Sequence, residues 1–310
     1  MIHGMEQLYE RVAQRGPVCV GLDTLSDYVP PRERRRALDD AEAVLSFNRA
    51  IIDGTIDVCA CFKVQIAYYE ALGLGGLRVY AQTLRYIRER GALVIADVKR
   101  GDIADTAAQY ARAHFSGDLE ADFVTLSPYM GMDTLTPWLP YVEDQGKGVF
   151  VLLRTSNAGM RDFEYRELKS GGRLYHEVGN RLSELALQFM GASGFSALGA
   201  VVGCTEKDEA AELRRQWPHL FFLIPGYGAQ GGAAEDAALL LRAGNGGVVN
   251  ASRSILKAWT QGIRELSSGF EGRLPGEITY QDAAQAARAG VIEMAQAIRT
   301  AGANQNQGKE

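Results

Sequence analysis

Eight short runs of apolar and β-branched residues recur along this chain of 310 residues, and most are separated by a stretch with helical spacing. No other feature restricts the fold as much. The runs are 18–22, 61–64, 93–98, 123–126, 149–153, 197–202, 221–224 and 247–250, with helical spacing over 37–57, 77–90, 106–115, 173–188, 206–217 and 234–242. Near-continuous apolar strands are what a parallel sheet needs when both of its faces are covered. Eight strand–helix units within about 250 residues predict an α/β fold of the closed kind, a (β/α)8 TIM barrel with a parallel eight-stranded sheet, rather than an open doubly wound sheet. One domain is expected over 1–300, closed by an alanine-rich helix over 280–300, and 301–310 is expected to be a disordered polar tail. The runs at 123–126 and 197–202 are the weakest as strands, and Pro137 and Pro140 oppose a helix between 134 and 141.

Composition narrows the class of function. With 46% hydrophobic and 23% charged residues the chain can build a substantial core. A formal charge of −5 opposes broad attraction to nucleic acid, which leaves small anions bound in a local cationic pocket. No run approaches the roughly 18 apolar residues of a membrane helix, and residues 1–6 lack a basic segment leading into an apolar one. A cytoplasmic protein without membrane contact is expected. Cys19, Cys59, Cys61 and Cys204 lie in apolar surroundings with no CxxC spacing, so they read as buried thiols, and the four scattered histidines suggest no metal site.

The third strand ends Ala96-Asp97-Val98-Lys99-Arg100-Gly101-Asp102-Ile103. Alternation with period two sends Asp97 and Lys99 to the same side, which at the C-terminal end of a barrel strand is the active-site mouth. The plain alternative is a structural ion pair, with Asp102 as a helix N-cap and Asp105 at the capping-box position. Against it stands the desolvation that a charged pair suffers at the end of an apolar strand. Asp23 after the first strand and Lys63 in the second, each ordinary as an isolated terminus, add charge at comparable strand ends.

The other signal comes from the last two strands, followed by Pro225-Gly226-Tyr227-Gly228-Ala229-Gln230-Gly231-Gly232 and Asn250-Ala251-Ser252-Arg253. Loops after strands seven and eight are a recurrent phosphate site of such barrels, because glycines bare backbone N–H groups and a helix N-terminus favours an anion. Arg253 would complete the clamp. The alternative is a flexible turn beside a surface arginine. A polar loop over 157–172 lies at the same mouth.

Together, Asp97-x-Lys99-x-x-Asp102-Ile103 with Asp23, Lys63, Thr155-Ser156-Asn157, the 225–232 loop and Arg253 resembles the longer bacterial branch of the orotidine 5'-phosphate decarboxylase family over most of the chain. Val64 departs from the proline expected after the lysine in that branch. The resemblance implies a decarboxylase that converts orotidine 5'-phosphate (OMP) to UMP and CO2 with no cofactor and no metal. It implies that Lys99 protonates C6 between flanking Asp97 and Asp102, and that Lys63 joins the two aspartates in one charge network and, with Asp23, holds the ribose. Ser156 would bond the pyrimidine, and Gln230, Gly231 and Arg253 the phosphate. It further implies a homodimer in which Asp102, Ile103 and Thr106 enter the partner's site, with the 226–232 loop as a lid and the 157–172 loop over the base. The Asp-x-Lys-x-x-Asp core is shared with metal-dependent sugar-phosphate decarboxylases and aldolases of the same superfamily, which form the rival reading. A non-catalytic phosphate-ligand-binding barrel is the other, and the costly charge cluster argues against it.

Overall fold

The computed structural model describes residues 3–228, 231–264 and 273–307. Eight strands, β1 (Val18–Gly21), β2 (Cys61–Gln65), β3 (Val94–Arg100), β4 (Phe123–Leu126), β5 (Gly148–Arg154), β6 (Leu198–Val202), β7 (Phe222–Ile224) and β8 (Gly247–Ala251), form a closed barrel in sequence order. Every neighbouring pair is parallel, and β1 closes the ring against β8 with Cys19 opposite Asn250. All eight apolar runs are strands, including the two least strand-like ones.

Alternation along each strand divides the core in two. Side chains such as Val20, Phe62, Val64, Ala96, Val124, Val151, Ala200 and Val249 point outward, into the larger core beneath the helices. Their neighbours Cys19, Cys61, Ile95, Phe123, Phe150, Val201, Leu223 and Val248 point inward and fill the barrel. Glycine permits this filling at two positions. A Cβ on Gly148 would stand 2.7 Å from the Phe123 ring, and one on Gly199 would stand 2.8 Å from the Phe150 ring. The two rings lie 5.6 Å apart, stacked at a tilt inside the barrel.

An N-terminal helix, Gly4–Arg15, closes the lower end of the barrel, an element absent from the expected set. Its Met5, Leu8 and Val12 join the interior cluster, and the amide of Gly4 donates to the carbonyl of Gly146 at 2.6 Å. The mean polarity of this helix hid it, because only Met5, Leu8 and Val12, with part of Tyr9, face the barrel. Further departures have local causes. The prolines at 137 and 140 do not abolish the helix after β4. A 3-10 turn over Met132–Trp138 accommodates Pro137, and an α-helix over Leu139–Gln145 places Pro140 in its first turn, where a missing N–H has no intrahelical partner to lose. The C-terminal helix runs Tyr280–Gln307, through most of the stretch expected as a disordered tail from residue 301. Ala301 is buried against the core, which gives the helix a reason to continue. The four cysteines are buried and free, and among the described residues no helix is long and apolar enough to cross a membrane.

Leu8 has no exposed surface. Leu8→Ala should therefore cost about 2–5 kcal/mol through lost burial and a residual cavity, measured as a lowered urea unfolding midpoint with an unchanged slope.

Candidate active site

The inward positions change character toward the C-terminal ends of the strands, where the apolar filling gives way to Lys63 and Gln65 on β2, Asp97 and Lys99 on β3, Thr125 on β4 and Asn250 on β8. They line the floor of a cavity of about 370 Å3 at the barrel mouth. Across it runs a line of four alternating charges. Lys63 Nζ lies 3.0 Å from Asp23 Oδ1 and 3.0 Å from Asp97 Oδ2, and Lys99 Nζ lies 2.6 Å from Asp97 Oδ1. Asp97 is only 6% exposed and Lys63 only 4%, so neither charge would be tolerable without the other.

Asp97 accepts four hydrogen bonds, from Lys63 and Gln65 on one oxygen and from Lys99 and Thr125 on the other. Burial alone would push this carboxyl up. The ammonium groups of Lys63 and Lys99 and their hydrogen bonds overcome that and bring it down to about 2. Burial likewise disfavours the Lys63 ammonium, but Asp23 and Asp97 outweigh it and raise the lysine above its ordinary value. Asp23 is anchored on its other oxygen by Ser252 Oγ at 2.9 Å. That approach depends on Gly21, since a Cβ there would fall 2.0 Å from Ser252 Oγ.

The rim is built by three loops. After β5, Glu164 holds the segment 155–157, accepting from the Thr155 amide at 2.8 Å and the Thr155 hydroxyl at 2.7 Å, and Ser156 and Asn157 line the cavity. After β7, Pro225, Gly226 and Tyr227 reach it. Beyond them Gly231 donates to the Gly228 carbonyl and Gly232 to that of Gly226, closing the turn on itself. After β8, Arg253 lines the cavity, and its guanidinium makes no hydrogen bond or ion pair among the described residues. The helix that it begins, Arg253–Leu256, is a single turn and adds little dipole, so the cationic character expected there rests on the guanidinium.

Asp23, Lys63, Asp97, Lys99, Ser156 and Arg253 are thus brought together at one cavity. Gln230 lies outside the described residues. Gly231 does not line the cavity, and its N–H is engaged in the turn. Asp102, Ile103 and Thr106 also stand apart from it: Asp102 accepts from the amide of Ile103 at 2.9 Å and, among the described residues, forms no ion pair within the chain, so it does not flank Lys99 there. Nor does Asp102 cap the following helix, whose N-cap is Ile103 with no side-chain hydrogen bond. Val64, in place of the expected proline, sits in regular strand opposite Ala96 and faces the outer core, and Lys63 pairs with Asp23 and Asp97, not with Asp102 of its own chain. Of the uncharged lining residues, Tyr28, Gln65, Tyr68 and Thr125 were missed from sequence, while Asn157, Tyr227, Asn250 and Ser252 stood within the segments singled out but were given no role of their own. For Gln65 and Thr125 the signal was available, since each falls on the inward alternation of its strand.

Fold and site define the class of protein, a (β/α)8-barrel enzyme whose charged groups gather at the C-terminal mouth. The chain belongs to the Orotidine 5'-phosphate decarboxylase / HUMPS family, whose family model matches residues 16–262. It is 56% identical over 254 residues to an orotidine 5'-phosphate decarboxylase of Clostridium perfringens, covering 82% of this chain and 88% of that one. With the enzyme of the same name from Clostridium botulinum it shares 52% over 267 residues, 86% of this chain and 93% of the relative. The solved structure of Leishmania donovani OMP decarboxylase is similar at a TM-score of 0.71 and 30% identity, covering 96% of this chain and 98% of that one.

The depressed Asp97 carboxyl has a pH consequence. A group whose folded value lies below its ordinary 3.8 contributes stability at higher pH and loses it as pH falls toward about 2. Unfolding free energy should thus fall between pH 4 and pH 2 by on the order of 2 kcal/mol more in the wild type than in Asp97→Asn, as read from urea titrations at a series of pH values.

Proposed function

We propose that this protein decarboxylates orotidine 5'-phosphate to UMP and CO2 in pyrimidine biosynthesis, in the cytoplasm and without a cofactor. The observation that carries the reading is the Asp23–Lys63–Asp97–Lys99 line at the floor of a cavity whose rim is lined by Arg253. In the reaction the bond from C6 to the carboxylate breaks, CO2 leaves and the electron pair stays on C6. Lys99 gives a proton to that carbon and is recharged from solvent. A fixed ammonium in a site screened from water can stabilise the carbanion with no reorganisation at the moment of reaction. This contributes more than repulsion between Asp97 and the substrate carboxylate, because four donors already balance the Asp97 charge.

Asp23 and Lys63 hold the ribose hydroxyls, Ser156 the pyrimidine, and Arg253 with Gln230 and Gly231 the phosphate. For Gly231 this means exchanging its turn hydrogen bond to Gly228 for a phosphate oxygen, which ties phosphate binding to a rearrangement of the 226–232 loop. Binding energy won at the phosphate, remote from C6, can then be used at the transition state. The 157–172 loop, which begins at the cavity-lining Asn157, covers the base.

The functional unit is a homodimer in which Asp102, Ile103 and Thr106 complete the partner's site. Exposed apolar side chains support association: Ile103 is 51% exposed, and Tyr129, Met130 and Phe163 stand out in the segments that follow β4 and β5. The names of the curated relatives favour OMP as substrate over the sugar phosphates of the rival reading.

Loss of OMP absorbance should survive EDTA and fall by at least about 10²–10⁴-fold in Lys99→Ala. A folded wild type that leaves OMP untouched, or that needs a divalent metal, would move the assignment to sugar-phosphate chemistry. Lys99→Ala and Asp102→Ala chains, each inactive alone, should regain about a quarter of wild-type activity when mixed and re-equilibrated, because half the dimers then carry one intact composite site. Mixtures no more active than their components would show that Asp102 serves its own chain.

A further inference from the structure

Resting on the decarboxylase reading, we propose that Thr125 is the positioning residue that holds the proton donor Lys99 and the carboxylate of Asp97 in one geometry. A hydroxyl has one hydrogen to donate and two lone pairs to accept with. Thr125 Oγ1 lies 3.0 Å from the Val98 amide and 2.9 Å from the Lys99 amide, groups that can only donate. Both lone pairs are therefore taken. The hydrogen goes to Asp97 Oδ1 at 2.9 Å, the same oxygen that accepts from Lys99 Nζ at 2.6 Å. One buried hydroxyl thus grips the backbone of Lys99, and the carboxylate that orients the Lys99 side chain, with all its bonding capacity used.

The backbone it grips is strained. Between Ala96 and Arg100 strand β3 leaves its register with β4, and Lys99 has a φ of 44°. This is the left-handed region, which a lysine occupies only when its surroundings hold it there. A register break at this point turns two successive amides toward β4, and Thr125, the inward residue nearest the mouth on β4, is the acceptor they share. Thr125 is 1% exposed, so water has no ready path to replace the hydroxyl. Without it, two amides lose their acceptor and Asp97 loses one of its four donors. Lys99 can then relax out of its aim while the substrate contacts at the ribose and phosphate stay in place.

The test compares Thr125→Val, which keeps the shape and removes the hydroxyl, with Thr125→Ser, which keeps the hydroxyl. Thermal unfolding of both checks that they are folded, and Thr125→Ala replaces the valine chain if that one is not. Because a displacement of about 1 Å at a reacting group can cost 10²-fold, kcat for OMP should fall about 100-fold in Thr125→Val with KM within about threefold of wild type. Thr125→Ser should stay within about threefold in both. A valine variant with near-normal kcat, a loss carried by KM alone, or a serine variant as impaired as valine would overturn the proposal. A crystal structure of Thr125→Val gives a readout independent of turnover. Lys99 should leave the left-handed region, and a φ still near 44° would count against the hydroxyl as its restraint. Should the wild type leave OMP untouched, the function reading falls, while the structural comparison still decides what Thr125 does.

Discussion

The ammonium of Lys63, buried between Asp23 and Asp97 at 3.0 Å from each, is the contact on which the rest of the site depends. The two carboxylates, one just beyond β1 and one on β3, flank the strand that carries Lys63 and would repel each other and draw in water if nothing stood between them. With Lys63 in place, Asp97 remains an anion in a nearly dry setting, and Lys99 is drawn to its free oxygen. Polar neighbours then follow: Ser252 takes the outer oxygen of Asp23, while Gln65 and Thr125 take what remains of Asp97. The result is a row of fixed charges whose positions do not wait for a ligand.

Such a row needs a rigid floor, and the lower barrel supplies one. The Phe123 and Phe150 rings meet inside the barrel because glycines at 148 and 199 make room for them, and the N-terminal helix seals the end away from the mouth. Every inward residue on the floor of the site therefore sits one or two steps above a close-packed apolar layer, which transmits little movement to it. At the top, Lys99 and again Ala104 are left-handed, on either side of the segment that carries Asp102 and Ile103, while a third such residue, Ala243, precedes β8 at the other end. Asp102 and Ile103, between them, do not line the cavity of their own chain, and Ile103 is exposed.

The rim is organised differently. Its loops are held by single polar anchors, Glu164 for the 155–157 segment and backbone turns for the 226–232 segment.

Much of this was legible along the chain, for identifiable reasons. The strand 148–154 is apolar on both faces up to its last residue and 94–96 at the start of its own strand, so composition marked them, and the inward direction of Lys63, Asp97 and Thr125 follows from alternation counted along each strand. The N-terminal helix and the continuation of the last helix past Thr300 were not legible, because the apolar stripe that holds each is narrow and its partners lie far away in sequence. In the site, sequence determined which charges sit at strand ends. It could not determine that Asp102, three residues from Lys99, fails to reach it within the chain, nor that Lys99 is left-handed, nor that one threonine satisfies two of the amides there. Those outcomes depend on the register break between β3 and β4, which is set by the fit of two strands whose contacts lie some 28 residues apart. Periodicity is a local property that a chain carries with it, whereas a register shift exists only between strands already packed together.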